Sequence, residues 1–250
     1  MESLTQPSYL ASRFVILFSL ALIAYVSGRL ATDCGVRVNY TRKINHFAIF
    51  FLPALLEDLF IFESTAFTTA LSAGVHGLFL ASLTKPVRTR SGFSATMFAS
   101  IDRPEDRPYT LFWLTTQVAA GFAVLGPLSW VFARYGAYEL TYIPILVNGI
   151  GDGLAEPIGV RFGRRTYRVP SLTSGRVYTR SYVGSACVLI TAIVVVFLFR
   201  DAFTATQFVA AIALVPPAMT LAEAFAPHTW DTPVLFLAGG LVLLGVVTVL

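Results

Sequence analysis

Charge is what this sequence has least of. Charged residues occupy 13% of its 250 positions, against 56% that are hydrophobic. A soluble domain carries about 25% charged residues. The shortage excludes an ordinary water-soluble domain, and a mean hydropathy of +0.71 points to an integral membrane protein. Cysteine is almost missing too. Cys34 and Cys187 stand in unrelated stretches with no CxxC or Cys/His spacing, which argues against a disulfide framework or a zinc site. A GxxxxGK[ST] phosphate loop is absent, and no soluble βαβ context surrounds the glycine-rich stretch described below. Long repeats, low-complexity tracts and a soluble linker domain are absent as well. The net charge of +4 is small, and no nucleic-acid partner is expected.

What the chain does have is long apolar runs. A helix needs about 20 mostly apolar residues to cross the hydrocarbon core. Eight segments fit, at roughly 10–28, 44–62, 64–83, 109–133, 138–156, 182–199, 203–221 and 232–250. The first, "FVILFSLALIAYVSG", lacks a strongly basic leader and reads as a span rather than a signal peptide. The expectation is one integral membrane domain over 1–250. It is all-α, a polytopic transmembrane helical bundle of about eight spans embedded in the lipid bilayer.

The positive charges orient these spans. Lys and Arg are enriched in cytoplasmic loops. Fifteen of the eighteen fall in alternate connections, after spans one, three and five; only Arg13, Arg134 and Arg200 fall on the other side. Both termini are therefore expected on the non-cytoplasmic side. The stretch from Asn148 to Ser185 is expected on the cytoplasmic or stroma-like side, where nucleotides are.

That stretch begins "NGIGDGLAEPIG". Glycines allow close approach of a backbone to a ligand. Asp152 beside Gly151 and Gly153 can hold magnesium, a hard cation that also takes phosphate oxygens. Glu156 lies four residues on and shares a face with Asp152 if the segment is helical. Arg161, Arg164 and Arg165 follow and suit phosphate. An acid for metal, glycines for approach and arginines for phosphate make a coherent triphosphate site. A plainer account stands beside it. Gly149/Gly153 and Gly159/Gly163 have the four-residue spacing of close-packed membrane helices, and arginines next to a span serve topology and lipid headgroups.

The segment "GDGLAEPIGVRFGRRTYRVPSL…RSYVGS" resembles the phytol kinase and dolichol kinase family of membrane-embedded polyprenol kinases. Members typically read GDxxAxxxGxxxG, then a short polar loop, then KSxxGS. Gly151, Asp152, Ala155, Gly159 and Gly163 match the first element. Arg180, Ser181, Gly184 and Ser185 match the second, with Arg180 in place of Lys. "TRKINHF" resembles the family's RKxxH element at the start of the second span and supplies Arg42, Lys43 and His46. "LAEAFAPHTWDTPV" resembles its terminal E…DNxxxP pattern through Glu223, Asp231 and Pro233, with Thr232 where Asn is usual.

The resemblance implies a lipid alcohol kinase. CTP is the nucleoside triphosphate donor, Mg2+ the cofactor and a long-chain isoprenoid alcohol (phytol-, polyprenol- or dolichol-like) the acceptor. Asp152, Glu156 and Asp231 are the implied metal ligands. The implied nucleotide and phosphate contacts are Arg42, Lys43, Gly151, Gly153, Gly159, Gly163, Arg164, Arg165, Arg180, Ser181, Gly184 and Ser185. Asp152, His46 and Glu223 are the candidates for orienting or deprotonating the alcohol. Two other readings stand. A cytidylyltransferase making a CDP-lipid would need a long C-terminal Lys, Asp, Pro-Gly-His-Gly-Gly and Asp-Arg signature, which is absent. A transporter or lipid-binding protein would place polar residues at the bilayer midplane, whereas these charges gather at one face.

Other polar residues read as structural. Glu57, Asp58 and Glu63 near the end of the second span need burial, pairing or an outer-surface position. His76 has no His or Cys nearby to complete a metal site. "IDRPEDRP" reads as a solvated loop with internal ion pairs, with a lid bringing Arg103 and Arg107 to phosphate as its alternative.

Overall fold

The computed structural model describes residues 7–57, 66–170 and 177–250. It is mostly helical, and each of the eight expected segments carries helix. In order these are α1 (Pro7–Asp33), α2 (Val38–Glu57) and α3 (Ala66–Ser82), then the short α4 (Lys85–Arg88) and α5 (Gly92–Ala99). After them come α6 (Thr110–Arg134) and α7 (Tyr142–Leu146). α7 runs through a π-helical turn at Val147–Asp152 into α8 (Gly153–Phe162). The chain closes with α9 (Tyr182–Leu198), α10 (Ala205–Phe225) and α11 (Asp231–Val249).

Among the described residues, four helices are long and apolar enough to cross a membrane: Tyr9–Asp33, Thr110–Arg134, Ala205–Phe225 and Asp231–Val249. α9 is apolar but shorter, at 17 residues. α2 opens on polar residues, and the 138–156 segment is broken into α7, the π turn and α8. Asp58 and Glu63 lie outside the described residues, as does the side chain of Glu57, the last residue of α2. The helical expectation holds, with one short addition of strand. Between α8 and α9 the polar stretch forms an antiparallel hairpin of β1 (Thr166–Pro170) and β2 (Val177–Ser181). Its residues alternate inward and outward, a period of two that suits a strand and not a helix.

The chain divides into two compact units, Met1–Leu111 and Phe112–Leu250. In the first, Ile16, Leu20 and Ala24 of α1 pack on Phe79 and Leu83 of the α3 region and on Met97 and Phe98 of α5. Leu10, Phe14, Phe18, Leu22 and Val26 recur every fourth residue of α1 and are all exposed. That stripe would be costly in water and is at home in hydrocarbon. The start of α2 is tied to the end of α5. Thr41 Oγ1 donates to the Ser100 carbonyl at 2.7 Å, and Asn45 Nδ2 donates to Ser100 Oγ at 2.9 Å. "IDRPEDRP" is internally ion-paired, as Arg103–Asp106 at 2.6 Å and Arg107–Asp102 at 2.8 Å. The first of these pairs is buried rather than solvated.

In the second unit, α9, α10, α11 and the α7–α8 segment surround one apolar core. Val147, Val188, Ala192, Val215, Met219, Leu235 and Leu243 meet there. The prolines inside these helices, Pro157 in α8 and Pro216 and Pro217 in α10, are of the kind that neighbouring helices support in membrane proteins.

Gly28 of α1 lies so close to Thr96 of α5 that an added Cβ would strike the Thr96 backbone. Gly28→Ala is expected to lower stability by about 1–3 kcal/mol, read as a drop in Tm of the detergent-solubilised protein. Gly245→Ala on α11, where no described residue lies within 4 Å of an added Cβ, should leave Tm unchanged or slightly raised.

Candidate functional site

The hairpin arranges the site. Cross-strand partners share a face. Tyr167 pairs with Arg180, and Val169 with Tyr178. These four are more buried than Arg168, Val177 and Thr179, which are exposed; Ser181 at the end of β2 is buried as well. The hairpin therefore carries Tyr167, Tyr178 and Arg180 together on its inner side. Ser181 ends β2 and caps α9, its Oγ accepting from the Gly184 N–H at 3.0 Å. A serine side chain satisfies an orphan N–H at a helix start in this way. The strand thus passes directly into α9, which delivers Ser185 one turn on.

Arg180 is the centre of the cluster. Its Nη1 donates to Glu223 Oε1 at 2.7 Å and also to the Glu223 carbonyl, and its Nη2 donates to Asp231 Oδ1 at 3.0 Å. Glu223 and Asp231 are buried, on the last turn of α10 and the first turn of α11. Burial pulls the Arg180 pKa down, but the carboxylates of Asp231, Glu223 and Asp152 outweigh it and leave it above the ordinary arginine value. Arg180 is thus a permanent cation held among three acids. The elements "GDG", "RSYVGS" and "LAEAF…WD" are separated in sequence and converge here.

Around this centre lie polar and aromatic neighbours. Ser185 Oγ donates to Glu223 Oε2 at 2.9 Å and lies 2.6 Å from the Tyr167 hydroxyl. The Tyr167 pKa is raised by burial and then by the charge of Glu223, and the bond with Ser185 pulls it the other way. The net effect keeps the phenol protonated. Tyr178 stacks flat on His228, with centroids 3.5 Å apart and planes 6° apart, and Trp113 meets both rings edge-on. This pins β2 to the α10–α11 connection. The next residue there, Thr229, is buried at φ 68°, with no partner for its hydroxyl among the described residues. A positive φ is costly for a β-branched residue, and such outliers gather at functional sites.

The π-helical turn positions the acids of the first motif. Such turns are frequent at functional sites. Asn148 and Asp152 are both buried and lie four residues apart. Asn148 Nδ2 donates to Thr232 Oγ1 at 3.3 Å, and Gln117 Nε2 donates to the same oxygen at 2.8 Å. Thr232 stands where the resembled family has Asn, and here its hydroxyl oxygen accepts two amide donors.

The motif glycines serve packing. Added Cβ atoms would meet Val188 of α9 from Gly151 at 3.1 Å, Ser181 Oγ from Gly159 at 2.6 Å and the Ala155 carbonyl from Gly184 at 2.8 Å. From Gly163 an added Cβ would meet Ser181 Cβ at 2.6 Å. Their missing side chains let α8 lie against α9 and the end of β2. Of the site residues expected from sequence, Ser181 is the α9 cap, Gly153 is buried in α8, and Arg164 and Arg165 are exposed beyond its end. Arg42, Lys43 and His46 belong to the first unit, on α2. Lys43 is buried there, and the His46 ring lies 4.7 Å from that of Phe50. The clustering described above is internal to the second unit.

Magnesium is the one cofactor the resemblance implies. It usually takes one or two carboxylates together with phosphate oxygens and water. Asp152 and Glu156, four residues apart on continuous helix, are a donor set of that size, and the residues fit the ion. Asp231, expected as a third ligand, accepts from Arg180. Among the described residues no group of three His, Cys, Asp or Glu gathers in a metal-binding arrangement.

Tyr167, Tyr178, Trp113, Asn148 and Gln117 were not expected in the site. The signal for Tyr167 is the alternation in "TYRV"; "VYTRS" has none, and only the pairing of the strands sets Tyr167 opposite Arg180. Trp113 and Gln117 carry no local signal. Comparison of the chain with known families, with characterised proteins and with solved structures gives no match.

Removing Arg180 should leave two buried carboxylates uncompensated. Arg180→Met is expected to destabilise by about 3–5 kcal/mol, measured by thermal unfolding in detergent. Combining it with Glu223→Gln and Asp231→Asn should recover much of that loss. Equal destabilisation of the triple variant would show that the ion pairs are not what Arg180 contributes.

Proposed function

We propose that this chain is a multi-pass membrane kinase that transfers the γ-phosphate of CTP to a long-chain isoprenoid alcohol. What carries the reading is the meeting of Asp152, Arg180, Ser185, Glu223 and Asp231 in one buried polar cluster, because these residues come from sequence elements that resemble the motifs of polyprenol kinases. An ionisable cluster beside apolar helices is expensive and is a functional site by default.

The membrane arrangement that goes with it has about eight spans, both termini on the non-cytoplasmic side, and the cluster at the cytoplasmic face. Its support is the Lys and Arg distribution, fifteen of eighteen in alternate connections. The alcohol arrives laterally from the bilayer, with its tail among apolar helices and its hydroxyl at the interface.

Catalysis here is mostly positioning and electrostatics, as in phosphoryl transfer generally. Asp152 and Glu156 would hold magnesium, which would supply positive charge against the phosphates. Arg161, Arg164 and Arg165, at and beyond the end of α8, are exposed and offer planar donors to phosphate. Arg180 fixes Glu223 and Asp231 and leaves further N–H groups for an anion. Glu223 is the group that ends with the proton of the alcohol.

Asp152→Asn is expected to abolish transfer of labelled γ-phosphate from CTP to a panel of lipid alcohols, with products resolved by chromatography. The variant should still insert and should elute as the wild type does in detergent. Transfer at the wild-type rate would overturn the assignment of Asp152 to the metal. Release of inorganic pyrophosphate instead of CDP would replace the kinase reading by a cytidylyltransferase.

A further inference from the structure

Glu223 is a poor base for direct contact with a lipid alcohol. Its Oε1 accepts from Arg180 and its Oε2 from Ser185, and the residue is 4% exposed. Asp231 and Asp152 also act on it electrostatically from α11 and from the π turn before α8, and Cys187 of α9 lies within reach of its charge. Its oxygens keep lone pairs for a further donor, but burial leaves little room for an alcohol to come up to them.

The hydrogen bonds themselves offer another route. A serine hydroxyl has one proton. Ser185 gives its proton to Glu223, so in its 2.6 Å bond with Tyr167 it accepts and the phenol donates. The chain is directional, from Tyr167 to Ser185 to Glu223. Ser185 and Glu223 are buried, and Tyr167 alone of the three is partly exposed. Tyr167 stands on the hairpin directly opposite Arg180, so its hydroxyl is on the same side as the cation that offers donors to phosphate.

We infer that Tyr167 is a catalytic residue that receives the proton of the acceptor alcohol and passes its own through Ser185 to Glu223. The inference rests on the kinase reading. As the alcohol oxygen bonds to the γ-phosphorus, the bond from that phosphorus to the bridging oxygen breaks, and the nucleoside diphosphate leaves with the electron pair. The alcohol proton goes to the Tyr167 oxygen, the Tyr167 proton to Ser185 Oγ, and the Ser185 proton to Glu223 Oε2. Glu223 finishes as the neutral acid, and Tyr167 and Ser185 finish as they began. The reverse relay then returns the proton to water and restores the carboxylate.

The test uses the full chain in detergent or nanodiscs, with γ-labelled CTP and a panel of lipid alcohols that includes phytol and a polyprenol. Tyr167→Phe keeps the ring and removes the hydroxyl. It is expected to lower kcat at least tenfold, the lower end of what general base catalysis supplies being about 10²-fold, and to leave KM for CTP within about twofold. The acid limb of kcat against pH, present in the wild type, should flatten because Glu223 is cut off from the proton path. Ser185→Ala should behave alike, and Ser185→Thr, which keeps a hydroxyl, should retain most of the rate. Wild-type kcat with an unchanged acid limb in Tyr167→Phe would overturn the relay and leave the kinase reading standing. A raised KM with unchanged kcat would likewise overturn it, since the hydroxyl would then bind nucleotide. A wild type that phosphorylates no alcohol on the panel would overturn both.

Discussion

A guanidinium taken out of water must find carboxylates close by, and Arg180 has two in contact. This ion pair network joins β2 to the end of α10 and the start of α11. Each partner needs the others. Without Arg180, Glu223 and Asp231 would be buried anions; without them, Arg180 would be a buried cation. Burying such charges singly costs several kcal/mol each, and a shared network offsets most of it. Asp152 adds to the same field from the π turn. The hairpin, the α10–α11 connection and the π turn are thus drawn to one point by electrostatics as well as by packing.

The rest of the second unit makes that point possible. Glycines at 151, 159, 163 and 184 bring α8 against α9 and the end of β2. Ser181 starts α9 at the end of β2 and so fixes where Ser185 falls. The Tyr178–His228 stack holds the hairpin on the α10–α11 connection. The motif glycines therefore do two things that the sequence pattern alone does not separate. They mark the resemblance to polyprenol kinases, and they are the close contacts expected of packed membrane helices. Both accounts of these glycines given from sequence remain in force, and the packing account has direct contacts behind it.

Much of the architecture was legible because it rests on local pattern. Long apolar runs gave helices at all eight expected places, though among the described residues four of them meet the length and apolarity that a span requires. The difference lies in particular residues. The first half of α2 holds Arg42, Lys43, Asn45 and His46, and the fifth segment is interrupted by "NGIGDG". The hairpin was not expected because four apolar side chains among its ten residues, without a regular alternation in "VYTRS", read as a polar loop. "IDRPEDRP" was expected to hold internal ion pairs and does, but Arg103 and Asp106 are buried; charge pattern tells which signs are near, and burial depends on what folds over them.

By itself, the sequence determined the greasy helical class, the acids and arginines of the cluster, and the motifs that suggest a lipid alcohol kinase. These follow from residue type and short spacing, which are local properties. Only the tertiary structure decided what those residues do to one another. Arg180, expected to touch phosphate, is held by Glu223 and Asp231, which lie 43 and 51 positions away along the chain. Tyr167 joins the site because β1 pairs with β2 in a register that sets it opposite Arg180. Pairing of distant charges, cross-strand register and burial are set by the chain's return on itself, and no short window of sequence contains that return.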